Sequence, residues 1–119
     1  QSQDHLSALA GIELIQQRND APSGYLDFLE TSGEGLQHVA YWTEDFDGEC
    51  ERANSLGLEV LHSGQVGGSD GRFMYFETRG HPGTVLEVSE VSGSKGRFFE
   101  RIRQISADWD GSEPIRPVG

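Results

Sequence analysis

His38 and Glu87 are the residues of this chain whose types and settings point most directly to chemistry. Each lies in a strand-like run, GLQHVAYWT for the histidine and TVLEVSE for the glutamate. Strand alternation places His38, Ala40 and Trp42 on one face of the first run, and Val85, Glu87 and Ser89 on one face of the second. A carboxylate flanked by Val85, Leu86 and Val88 is costly to bury without a partner. A divalent ion removes that cost, because neutral imidazole and carboxylate are natural ligands for one. Without a metal, His38 also reads as a core histidine satisfied by a backbone carbonyl, and Glu87 as an edge carboxylate facing water.

The elements that must position this pair follow from periodicity and punctuation. AGIELIQQ, residues 10–17, has the apolar density of a strand. Ser23 caps a short helix over GYLDFLE, where Tyr25, Phe28 and Leu29 share a face, and Gly33 and Gly35 end it. Residues 35–43 form the strand with His38. In TEDFDGECERANSLG the positions Phe46, Cys50, Ala53 and Leu56 recur at helical spacing, with an acidic first turn and Gly57 as the stop. LEVLHSGQV, RFMYFETR and TVLEVSEVS then read as three strands joined by the turns GGSDG and GHPG. RFFERIRQISADW carries an apolar stripe of Phe98, Phe99, Ile102 and Ile105 that predicts a packed helix. The closing GSEPIRPVG holds Pro114 and Pro117 and should run extended over the surface.

The segments GEGLQHVAYWTEDFD, GRFMYFET and GTVLEVSE resemble the second module of the vicinal oxygen chelate superfamily, which includes glyoxalases, epimerases, extradiol dioxygenases and resistance proteins. The resemblance implies an α+β fold. Residues 34–92 would form a glyoxalase-like βαβββ module. Residues 1–33 would supply the last strand of a preceding module and a connecting helix, and residues 93–119 a C-terminal helix and tail. Two such modules frame a metal, each giving one ligand from its first strand and one from its last. By position, this implies His38 and Glu87 as ligands of this module and Glu13 as a ligand of the preceding one.

A fourth ligand has no counterpart, since only twelve residues precede Glu13. His5 lies too near it for the usual place, and only a swapped arrangement would use it. The expected remedy is pairing, either as a homodimer or with an amino-terminal module outside these residues. The implied cofactor is a divalent ion: zinc, manganese, nickel, cobalt or magnesium. The implied activity is that of a lyase, isomerase or epimerase, in which Glu13 or Glu87 is the catalytic group that removes and returns a proton beside a carbonyl. Trp42, Phe73 and Tyr75 would bind the small-molecule substrate, although packing alone also explains a strand tyrosine. A reading from another class is a non-catalytic, resistance-type binding protein using the same surface.

Composition sets the outer limits. A chain of 119 residues suits one domain with a modest core. Nine basic against twenty acidic residues give a net charge of -11, which repels a nucleic-acid backbone. No run approaches the roughly 18 apolar residues of a membrane span, so neither nucleic acid nor membrane is an expected partner. The single cysteine, Cys50, fits a reducing cytoplasm and excludes an internal disulfide. Three further signals read blandly. GGSDG lacks the lysine and spacing of a phosphate loop and serves as a hairpin turn. Lys95, Arg97, Arg101 and Arg103 read as a solvated helix face. His62 and His81 receive no role.

Overall fold

A computed structural model of the chain describes residues 11–78 and 85–117. The Ser23 hydroxyl accepts a hydrogen bond from the Leu26 amide at 3.0 Å and so starts helix α1, Gly24–Ser32. Gly33, at φ 73°, ends it in a conformation that a side chain would strain. Strand β1 spans His38–Thr43, beginning three residues later than residues 35–43 had implied. Asp45 caps helix α2, Phe46–Ser55, by accepting from the Gly48 amide at 3.2 Å. Strands β2 (Glu59–Gln65), β3 (Arg72–Glu77) and β4 (Val85–Glu90) follow, and helix α3, Gly93–Ala107, comes last.

The four strands make one sheet in the order β1-β4-β3-β2. β4 lies between β1, to which it is parallel, and β3, to which it is antiparallel; β2 and β3 form an antiparallel hairpin. Strand, helix and three strands therefore make the expected α+β glyoxalase-like module, followed by a C-terminal helix.

One face of the sheet takes the core. Phe46 and Ala53 of α2 pack on Phe76 and Val88, with Cys50, Leu58, Met74 and Leu86 at the margin. Phe76 is fully buried, which is worth about 2–3 kcal/mol. Leu56 leaves the stripe that its spacing had assigned it: it stands at the C-cap of α2, where the chain turns at Gly57, and is 74% exposed.

Other expectations are corrected. Residues 11–17 form no strand, and Ile12 and Leu14 are almost fully exposed. A lone strand makes no ladder hydrogen bonds and buries no apolar face, so apolar density there does not suffice. Residue 10, His5 and the GHPG turn with His81 lie outside the described residues. Helix α3 forms, but its stripe is only partly packed, with Phe98 50% exposed and Ile102 37%. Residues 108–117 form no helix or strand, and the Arg116 guanidinium stands 5.8 Å from the Trp109 ring.

Candidate small-molecule site

The sheet face opposite α2 carries two rows of side chains, set by strand register. Ala40, Glu87, Tyr75 and His62 are neighbours across β1, β4, β3 and β2. Two residues along, Trp42, Ser89, Phe73 and Gly64 make the second row. Ala40, directly beside Glu87, is too short to reach it. The carboxylate instead meets His38 on the diagonal, with His38 Nε2 and Glu87 Oε1 3.2 Å apart. Both side chains are nearly buried, at 12% and 13% exposure, which makes this a desolvated pair rather than a surface contact. His38 Nδ1 is in turn 2.5 Å from Gln37 Oε1.

Burial of Glu87 would raise its pKa, but hydrogen bonds from His38, Tyr75 and Ser89 more than offset that and hold the carboxyl below its ordinary value. The opposite holds for Tyr75. Burial, its contact with the Tyr25 hydroxyl and the Glu87 charge push its phenol far above the usual value, so it stays protonated. Tyr25 of α1 stands with its hydroxyl 2.9 Å from that of Tyr75, and His62 stacks on the Tyr75 ring at 4.4 Å between centroids. His38 meets the same ring edge-on at 5.0 Å. A protonated Tyr75 phenol, with the His62 and His38 rings packed on its own, therefore stands against one ionised carboxylate.

The second row is framed by α3. Phe99 packs edge-on against Trp42 at 5.0 Å. Lys95 is buried, and its ammonium donates to Ser89 Oγ at 2.8 Å and to the Arg72 carbonyl at 3.0 Å. The helix can approach this closely because a Cβ at Gly96 would overlap the Val91 carbonyl. Phe73 lies flat across the neighbouring strand for a similar reason: a Cβ at Gly64 would come within 2.9 Å of its ring. On the core side, Arg72 grips Glu90 through two bonds of 2.9 and 2.7 Å and reaches Asp47 at 2.9 Å, tying the sheet to α2.

Residues 3–76, more than half of the chain, match a family model described as the Glyoxalase/Bleomycin resistance protein/Dioxygenase superfamily. The chain belongs to this superfamily. The match ends in β3, so Glu87 and α3 lie beyond it. A comparison with curated proteins found no match.

The superfamily commonly uses divalent metals, and the residues present can be tested for one. Donors bound to one tetrahedral ion lie about 3.3 Å apart, so the His38–Glu87 separation fits two of its ligands. No group of three or more His, Cys, Asp or Glu side chains able to hold a metal occurs among the described residues. Glu13 is exposed, on a segment that pairs with none of the described strands. Among the described residues, His38 and Glu87 are thus the two side chains brought to a spacing that suits a shared ion.

Of the other residues singled out from sequence, Trp42, Phe73 and Tyr75 do share one face with His38 and Glu87. Lys95 departs from the solvated face assigned to it, whereas Arg97 and Arg101 are exposed and Arg103 pairs with Glu100 at 2.5 Å on the helix surface. His62 and Tyr25 join the site although the sequence marked neither. For His62 strand parity was no guide: it shares parity with Val60, which faces Phe76, and only the register shift between the two sets His62 beside Tyr75. For Lys95 the cue was the glycine on either side, Gly93 and Gly96.

Proposed function

We propose that this face is one half of a divalent-metal-assisted proton-transfer site, of the lyase, isomerase or epimerase type found in the superfamily. The observation that carries the reading is the desolvated His38–Glu87 pair at ligand spacing on a face otherwise walled by aromatic rings. His38 through Nε2 and Glu87 through its carboxylate would hold the ion, which would polarise a substrate carbonyl and acidify the adjoining C–H bond. Trp42, Phe73 and Tyr75 would bind the substrate's apolar part and exclude water. The Tyr75 hydroxyl fixes the Glu87 carboxylate, and Gln37 fixes the His38 ring, so that both donors point across the same row.

The further donors would come from a second copy or from an amino-terminal module. Glu13 would serve, as ligand or as proton-transfer base, only if its segment paired with a sheet edge. Exposed Phe98 and Ile102 on α3, together with Tyr41 on the edge strand β1, offer apolar surface for a homodimer.

A second reading, non-catalytic binding, is favoured by the state of Glu87. A carboxylate held low by three donors is a good anchor and a weak base. Calorimetric titration with zinc and manganese tests the first reading, together with metal-dependent deuterium exchange at the carbon beside the carbonyl in a panel of 2-oxo acids and thioesters. Binding and exchange that are both lost in His38→Ala and Glu87→Gln are the expected result. Absence of metal binding in the unmodified chain and its dimer would leave the binding-protein reading.

A further inference from the structure

Lys95 is the only lysine among the nine basic residues of the chain, and it is one of the few buried polar residues among those described. A lysine that serves only as packing buries its stem and raises its head to water. Here the head is turned inward. Nζ bonds two neutral oxygens, Ser89 Oγ and the Arg72 carbonyl, and an ammonium has three donors, so one remains for a ligand. The two acids nearest in charge have other partners: Arg72 grips Glu90, and His38 faces Glu87. Nζ also stands over the rings of Phe73, at 5.4 Å, and Trp42, at 5.9 Å. An under-compensated cation, shielded from water between two aromatic rings, is a strong local attractor for a small anion even on a chain of net charge -11.

We infer that Lys95 is the anion-binding residue of this site, which takes a small molecule with a carboxylate or phosphoryl group attached to an apolar or aromatic body. The body lies across Trp42 and Phe73, the anion meets the Lys95 ammonium, and the rest reaches toward His38 and Glu87. The two rows are two residues apart, roughly 7 Å along the strands. The anion is therefore separated from the reacting carbon by a linker of a few bonds. This assignment rests on the small-molecule site described above, but not on its metal.

The single lysine makes the test direct. With 13C- and 15N-labelled lysine, the chain gives one side-chain signal, which is followed during titration with phenylacetate, phenylphosphonate and the neutral phenylacetamide. Both acids, or the better of the two, should shift that signal and saturate it, and should bind at least about tenfold more tightly than the amide. The stronger acid then identifies the anion as carboxylate or phosphoryl. Lys95→Met should erase the preference and leave amide affinity within about twofold. If the variant fails to fold, the labelled unmodified chain still decides. Equal affinity for acid and amide, an unmoved lysine signal at saturation, or no acid binding at millimolar concentration would overturn the assignment. Metal binding is read separately, so a chain that prefers acids but binds no metal would sink the earlier proposal and leave this one standing.

Discussion

Removing either member of the His38–Glu87 pair should show that the two act as one desolvated unit. An exposed ion pair is worth about 0–1 kcal/mol, while stranding one partner of a fully buried pair costs about 3–5 kcal/mol. With 12% and 13% exposure the pair sits near the buried limit, yet Glu87 keeps its contacts with Tyr75 and Ser89 when the imidazole is gone. His38→Ala should therefore cost about 2 kcal/mol. Glu87→Gln removes the charge but keeps the shape, and should cost about 1 kcal/mol. In the double variant no carboxylate is stranded, so the total should be nearer 1.5 kcal/mol than the sum, a coupling of about 1.5 kcal/mol. Urea unfolding in the presence of a chelator measures it, and with a slope of about 1–3 kcal/mol/M the coupling spans roughly 0.5–1.5 M in midpoint. Additivity within about 0.5 kcal/mol would refute the reasoning. The pH dependence gives a second check. The folded carboxyl lies below its unfolded value, so its contribution is complete above about pH 4.3 and is lost as pH falls through the lower folded value. Wild type should exceed Glu87→Gln in stability at neutral pH and converge with it in acid.

Two further outcomes follow from packing. Gly64→Ala should lift the Phe73 ring off the sheet, cost about 1–3 kcal/mol in urea unfolding and weaken phenylacetate binding in a fluorescence titration; unchanged affinity would show that Phe73 does not wall the site. Phe98→Asp combined with Ile102→Asp should convert a dimer to a monomer in sedimentation equilibrium, and a monomeric unsubstituted chain would remove the homodimer reading.

Much of the site was legible because strand parity is strict. Once GLQHVAYWT and TVLEVSE are strands, His38, Trp42, Glu87 and Ser89 have faces, and a parallel pairing brings those faces together. The resemblance to the superfamily implied that the first and last strands share a site, which local pattern could not; their parallel pairing was decided by the structure. What was misjudged depended on partners distant in the chain. Residues 10–17 have the composition of a strand, but residues 11–17 pair with none of the described strands. The α3 stripe is helical in period, but period does not say whether a surface awaits it.

By itself, the sequence determined the alternating faces, the cap at Ser23, the acidic start of α2, the core stripe of Phe46, Cys50 and Ala53, and the absence of any charge pattern suited to nucleic acid. These depend on dihedral preference, hydrogen bonding within a few residues and total charge, all local or additive. Only the tertiary structure decided that Glu87 reaches diagonally past Ala40 to His38, that Tyr25 and His62 close on Tyr75, and that Lys95 turns its charge inward. Those outcomes depend on sheet register and on how closely Gly64 and Gly96 let neighbouring elements approach, distances that no spacing along the chain encodes.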